Sequence, residues 1–455
     1  MTKQHEFWTS RFAFLMAAIG CSVGLGNFWR FPYTAGQNGG GAFVLIYLGC
    51  VVLIALPILI AEYGIGRRGG ASAPTSIANV ARENNASSLW RIAAWVGGLS
   101  GTAILTFYCV IAAWVVLFIP DTLSGMFASM DAEQVGAHFA ATISDPPRLL
   151  LAHAAFVLMN VLVVARGVTK GIEAVVQILM PLFFLMLVGI VVYVSVIGDF
   201  SAAAAFLLQP DFSEVTPGTF LAAVGQAFFS IGVGAALMLT YGAYLSREEN
   251  IPTSSVLVAG ADSLVAIVAG FAIFPLVFAF GLDPAGGPGL FFVTLPIAFG
   301  EMPFGATVGA AFFTLALFAA FTSSISLLEV GVSWLSEKSG WTRLRATLVI
   351  GAVIWLFGVG HIYFPALLDL FDGVTEGIGL PLGGLLIALF AGWAARKAML
   401  EEIGPDATLT RKLWPVAIAF IAPVGIALVL IFGLAQHAPG IAASFSTLLE
   451  QIGAR

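Results

Sequence analysis

The sequence predicts an all-α polytopic membrane protein with eleven transmembrane helices. Spans one and six are expected to be broken at mid-membrane, and the first ten spans to form a five-plus-five inverted repeat. Three observations carry this. Of 455 residues, 59% are hydrophobic and only 10% charged, with a mean hydropathy of +0.99; a soluble chain of this size needs far more surface charge, so most of this one faces lipid. The apolar runs reach about 20 residues or more without strict alternation, which favours helices over barrel strands. Two of these runs are interrupted, by Gly20-Cys21-Ser22-Val23-Gly24-Leu25-Gly26-Asn27 and by Ser230-Ile231-Gly232-Val233-Gly234.

In order, the expected spans are 11–36, 41–66, 89–119, 149–165, 172–197, 219–245, 254–280, 304–335, 344–360, 369–395 and 413–435. The stretch 286–300, rich in Gly, Pro and Phe, is too short and interrupted to cross, and is read as an outer loop folded back onto the entrance. Phe12 onward continues as a long span with no small-residue cleavage pattern, so the first helix is expected to be retained rather than removed as a signal. With the N-terminus inside, the inner side collects Lys3, Arg11, Arg67, Arg68, Arg166, Lys170, Arg343 and the other basic residues. Of 19 cations only Arg30, Arg148 and Arg455 fall outside, as the positive-inside rule requires. The chain then divides into an N-terminal cytoplasmic segment (1–10), a first repeat (11–197), a second repeat (198–396, including the loop 286–300), and span eleven with an outer C-terminal tail (397–455).

Composition excludes several classes. A scattered net charge of −6 argues against nucleic acid. Cys21, Cys50 and Cys109 lie in or beside apolar runs with neither metal spacing nor a disulfide framework. The five histidines are dispersed without catalytic or metal-ligand partners, which argues against an enzyme and an organic cofactor. A channel needs a continuous polar lining, whereas the polar residues here converge on one depth. Irregular backbone is tolerated in a membrane only where it is buried in protein or lines a cavity, because unpaired peptide groups in hydrocarbon are costly. Two such breaks, one in each half, point to a solute and ion site at mid-membrane.

The string from Gly20 to Tyr33 is followed by Asn38-Gly39-Gly40-Gly41-Ala42-Phe43, Glu62-Tyr63-Gly64-Ile65-Gly66-Arg67, Gly225-Gln226-Ala227-Phe228-Phe229-Ser230, Thr240-Tyr241-Gly242-Ala243-Tyr244 and Thr322-Ser323-Ser324. Together, in this order and over nearly the whole chain, they resemble the neurotransmitter:sodium symporter family, in particular its short bacterial amino-acid transporters. The resemblance implies sodium-coupled uptake of a small amine or amino acid across the cell (inner) membrane. It implies a first sodium held by Ser22, Asn27, Ser230 and Asp262, and a second held by carbonyls of Gly20, Val23 and Ala319 with hydroxyls of Thr322 and Ser323. Oxygen donors freed by unwound helix suit a hard cation. Where animal relatives hold chloride, Tyr47, Gln226 and Ser230 match but a further serine position is Ala266; Asp262 stands where those relatives have asparagine. A buried acid costs about 2.5–3.5 kcal/mol on insertion scales, and here it can supply the charge that chloride brings. Chloride-independent transport is therefore expected, with Asp262 a candidate proton site as sodium leaves.

For the substrate, the amides of Leu25 and Gly26 open a half-helix whose positive end suits a carboxylate, with the Tyr108 hydroxyl beside them. Gly24 leaves room for a substrate bringing its own carboxylate, and carbonyls of Ser22, Phe229 and Ser230 would receive the ammonium. Ile104, Phe229, Ala235, Ser323 and Leu327 would line the remainder. Ala235 suggests a large hydrophobic or aromatic amino acid; Gly232 keeps an omega-amino acid such as GABA or taurine open, as is a non-transporting sensor of the same fold. The resemblance also implies an outer gate of Arg30 and Asp372 and an inner gate of Trp8, Tyr244 and Glu337. There His5, with Lys3 nearby, replaces the usual arginine and introduces a group that titrates near neutrality. Glu62 is expected to hold the broken backbone of spans one and six. Gly171 and Pro181 are expected to mark a local unwinding of span five. Glu329 has no assigned role, and Asp369 and Glu376 are read as vestibule acids. The oligomeric state is left open.

Overall fold

The computed structural model describes residues 6–286 and 289–453, and every named element is helical. Nine helices among the described residues are long and apolar enough to cross a membrane, and a tenth crossing is made by a bent pair. That pair comprises α1 (Arg11–Ser22) and α2 (Gly26–Gln37), inclined at 49° across the glycine-bearing break. Ser10 starts α1 by accepting from Ala13 N at 3.1 Å. The helix stops where Val23 turns extended, at φ −71° and ψ 102°.

There follow α3 (Gly41–Gly69), the surface helix α4 (Ala73–Glu83), α5 (Ser88–Leu123), α6 (Ala132–Ile143), α7 (Pro146–Val164) and α8 (Val168–Ile197). The short α9 (Phe200–Leu208) leads to α10 (Pro217–Ile231) and α11 (Leu237–Gly242), the interrupted stretch of the second half. Beyond it come α12 (Ile251–Ala279), α13 (Leu290–Glu301), α14 (Gly305–Ser339), α15 (Arg343–Tyr363), α16 (Pro365–Ala394), α17 (Arg396–Ile403) and α18 (Thr408–Ala435). Caps set several of these starts: Asp131 and Gln134 form a reciprocal capping box on α6, and Asn250 accepts from Thr253 N at 3.0 Å on α12.

The break between α10 and α11 is built from unusual backbone. Gly232 and Gly234 have φ of +76° and +82°, and Ala236 joins them at +59°. That region of conformational space is easily reached only without a Cβ. A Cβ on Gly234 would also fall 2.4 Å from the Leu380 carbonyl oxygen. Glu62 of α3 closes the break by accepting from Gly234 N at 2.7 Å, so a peptide group freed by the unwinding is paired inside the protein.

Two expected boundaries differ. The stretch 286–300 contains a helix, Leu290–Glu301, whose Phe291 and Phe292 are buried in an aromatic cluster with Phe312 and Phe313 of α14. Burial of those rings stabilises a turn-rich segment as helix. At the other end, α18 does not stop at 435 but continues helical to Gly453, through Pro439; beyond Gly440 the helix formers Ala442, Ala443, Leu448, Leu449 and Glu450 favour its continuation past the apolar span.

Candidate functional site

The two breaks face each other, and the side chains around them form one buried network. Asn27 donates from Nδ2 to Ser230 Oγ (3.1 Å) and to both the carbonyl (3.0 Å) and Oδ1 (2.9 Å) of Asp262. Ser230 donates to Asp262 Oδ2 at 2.7 Å, and Tyr47 approaches that oxygen at 3.5 Å. The Asn27 amide oxygen accepts from Gly24 N at 2.9 Å. Ser22 contacts the opposite break, donating from Oγ toward Ile231 O at 3.3 Å. Ser22, Asn27, Ser230 and Asp262, the four residues expected to share a cation, are thus brought together with Asp262 fully buried. Gln226 crosses to Gly26 O at 3.1 Å and leaves its own Oε1 buried without a partner.

The second expected set meets where α1 ends against α14. Ser323 donates toward Val23 O at 3.4 Å, and Thr322 contacts Ala319 O at 3.1 Å. A Cβ on Gly20 would lie 3.4 Å from Thr322 Cβ and 2.9 Å from Met180 Sδ, so Gly20 packs between α14 and α8. All donors here are carbonyl or hydroxyl oxygens. Among the described residues no cluster of three or more His, Cys, Asp or Glu is placed to hold a metal ion. The chemistry of both sets suits a hard monovalent ion and not a zinc-type one.

Between the breaks lies a narrow cavity, about 50 Å³ to the centres of water molecules. Its polar end is made by Ser22, Gly24, Tyr108 and Ser323. Leu25 N donates to the Tyr108 hydroxyl at 3.1 Å, which sets an amide and a phenol side by side. The absence of a side chain at Gly24 is required, because a Cβ there would meet Ser323 Oγ at 2.7 Å and Tyr108 Oη at 2.9 Å. Ile104, Phe229, Gly232, Ala235 and Leu327 line the apolar remainder, as expected. Cys21, Leu237 and Leu380 line it too and were missed. Cys21 sits inside the recognised string, whereas Leu380 comes from a distant helix and carries no local signal.

Above the cavity Arg30 lies over the Phe229 ring at 4.8 Å. Arg30 pairs with Glu376, a neighbour of the expected Asp372. The two acids stand one turn apart on α16, and Arg30 reaches Glu376 while lying over the Phe229 ring. Below the cavity Trp8 is buried, donating from Nε1 to Tyr241 O at 3.3 Å and from its backbone N–H to Tyr244 O at 3.1 Å. The acid expected beside them, Glu337, is instead held by Ser72 N at 2.7 Å and by Thr75 Oγ1. It lies near the end of α14, too far along the helix to face Tyr244. About two turns earlier on the same helix, Glu329 takes that place. It is fully buried, accepts from the Tyr244 hydroxyl at 2.7 Å and pairs with Arg343, whose Nη1 stands at 3.1 Å. A buried acid in an apolar run, fourteen residues before the first cation of the next helix, was the available signal. His5 lies outside the described residues. Gly171 and Pro181 both lie in helix, Gly171 within the π-helical turn Val168–Glu173 that opens α8 and Pro181 inside its main length.

Comparison with known proteins agrees with this geometry. The family model described as the sodium:neurotransmitter symporter family matches residues 5–135 and 129–447. An uncharacterized sodium-dependent transporter of Bacillus subtilis (strain 168), YhdH, is 36% identical over 93% of this chain and 96% of its own. The sodium-dependent dopamine transporter of Bos taurus is 25% identical over 96% of this chain and 70% of its own. The crystal structure of MhsT in complex with L-phenylalanine superposes with a TM-score of 0.85 and 40% identity, covering 94% of this chain and 99% of that one. A transporter's broken-helix site and a family match across nearly the full length lead to one conclusion: this chain belongs to the sodium:neurotransmitter symporter family, as a membrane transporter and not an enzyme.

Proposed function

We propose that the protein imports a neutral α-amino acid, large and hydrophobic or aromatic, together with sodium, by alternating access and without chloride. The observation that carries this reading is the Asp262 carboxylate, buried at the point where both breaks meet and ringed by Asn27, Ser230 and Tyr47. A buried acid needs a compensating cation, and sodium at Ser22, Asn27, Ser230 and Asp262 supplies it. Binding turns the Asn27 amide so that its oxygen, now on Gly24 N–H, faces the ion. The negative charge that a bound chloride brings elsewhere is then already present. A second sodium at Gly20, Val23, Ala319, Thr322 and Ser323 would tie the end of α1 to α14.

The cavity has a polar end at Gly24, Tyr108 and Ser323 and apolar walls beyond it, which suits a zwitterion carrying an apolar side chain. The phenylalanine in the MhsT complex is of that kind. Gly232 need not signal an omega-amino acid, because its φ of +76° ends α10 in a conformation that favours glycine whatever the ligand. We read Pro217–Gly242 as the sixth of eleven spans, equivalent to the first across an inverted repeat, with the N-terminus inside and the C-terminal end outside.

Purified protein in liposomes tests ion use directly. Labelled phenylalanine uptake should need sodium and be unchanged when gluconate replaces chloride. The Asp262→Asn variant should lose chloride-independent uptake by at least about tenfold, since one buried charge near the cation is removed. Unaltered uptake by that variant in chloride-free medium would remove the support for this assignment.

A further inference from the structure

Away from the central site, α7, α8 and α14 enclose a groove of about 430 Å³ that the transport reading leaves without a role. Its walls are apolar: Met159 and Val163 from α7, Ile178 and Leu179 from α8, Leu317 and Phe321 from α14. It opens sideways toward the bilayer, for Met159 and Ile178 are 43% and 70% exposed. At one end stand Arg166, on the short turn joining α7 to α8, and Lys170, in the π-helical first turn of α8. Both are exposed, no carboxylate lines the groove, and neither forms an ion pair among the described residues. Two acids share this turn without lining the groove: Glu6 accepts from Val168 N at 2.6 Å, and Glu173 accepts from Thr9. The turn itself is tightly built. Gly167 has a φ of +102°, and a Cβ on Gly171 would fall 2.1 Å from the Val163 carbonyl oxygen.

A lipid-facing apolar slot ending in two exposed cations that form no ion pair among the described residues is complementary to acyl chains below a phosphodiester. Basic residues near a membrane surface attract anionic headgroups, and apolar burial of the chains adds to that attraction. We propose that this groove binds an anionic phospholipid, with its phosphate between Arg166 and Lys170 and an acyl chain along Met159, Ile178 and Phe321. The assignment to the inner leaflet rests on the orientation proposed above. Seated there, the headgroup braces the π-helical first turn of α8, which the N-terminal segment also holds through Glu6 and Glu173. The lipid thereby resists unwinding of the segment that carries Gly171.

The test uses full-length protein in detergent, titrated with phosphatidylglycerol or phosphatidylcholine and read by native mass spectrometry. Phosphatidylglycerol should bind at least about tenfold more tightly. The double variant Arg166→Gln/Lys170→Gln should abolish that preference, whereas Arg396→Gln/Lys397→Gln, which removes as much charge elsewhere, should keep it. Ala174→Trp, filling the apolar slot with both cations intact, should weaken phosphatidylglycerol binding several-fold. Millimolar inorganic phosphate should not displace the lipid. Equal lipid retention by wild type and the Arg166/Lys170 variant overturns the proposal. So does equal loss in the Arg396/Lys397 variant, unchanged binding by Ala174→Trp, or displacement by free phosphate. Sodium-dependent thermal stabilisation by phenylalanine, measured on the same samples, reports on the central site independently of the groove.

Discussion

The two closures of the central cavity are built differently. On the side of Arg30, an ion pair to Glu376 and the Phe229 ring stand between the cavity and the vestibule, and the Glu376 side chain is 22% exposed. On the side of Trp8, the barrier has several layers. Trp8 packs on Tyr241 and Tyr244, Tyr244 holds Glu329, Glu329 holds Arg343, and Arg343 reaches Val164 O of α7 at 2.7 Å. Glu173 and Glu6 pin the N-terminal segment across the start of α8. In the thin closure the carboxylate, Glu376, is partly exposed, and in the thick one the carboxylate, Glu329, is fully buried. A partly exposed carboxylate regains water when its pair opens, whereas a fully buried one is left stranded. The structure therefore describes a molecule whose side toward the vestibule opens at small cost, while opening the other side demands that a network come apart.

Substitutions can break that contrast. Cys21 lines the cavity, so its alkylation in proteoliposomes, with Cys50 and Cys109 replaced by alanine, reports which side is open. Glu329→Gln should have the largest effect. It leaves Arg343 without its counter-charge and should cost about 2–4 kcal/mol of stability, with Cys21 alkylation from the Arg343 side rising more than tenfold. Next, Glu376→Gln should raise alkylation from the vestibule side about three- to tenfold, for a pair contributing about 1 kcal/mol. Asp372→Asn should do less than Glu376→Gln; the reverse order would restore Asp372 as the partner of Arg30. Smallest of all, Glu337→Gln should change thermal stability by less than about 0.5 kcal/mol, because its carboxylate is exposed and binds only the loop at Ser72 and Thr75. A Glu337 effect equal to that of Glu329 would contradict the layered barrier.

How far the chain could be read in advance depends on the range of each interaction. The interruptions near Gly24 and Gly232 were legible because glycine and polar residues inside an apolar run have few physical explanations in a membrane. Residues within those strings, such as Asn27 and Ser230, came with them. Partners set by tertiary packing were harder. Arg30 was recognisable, but two acids one turn apart on α16 are equivalent in sequence, and only packing in three dimensions sets which of them meets Arg30. Glu329 and Glu337 lie on one helix eight residues apart; which of them meets Tyr244 depends on how far α14 projects past α11. The helix Leu290–Glu301 was hidden for a related reason, since its Gly- and Pro-bearing run is stabilised by rings on α14 that local propensity does not register.

If the two broken stretches form one site for sodium and an apolar zwitterion, with Asp262 standing in for an anion, counterflow of labelled phenylalanine into liposomes should show it. Exchange is expected in sodium gluconate and in sodium chloride, equal to within experimental scatter, and none in choline gluconate. Exchange in choline, or exchange that appears only when chloride is added, would contradict it.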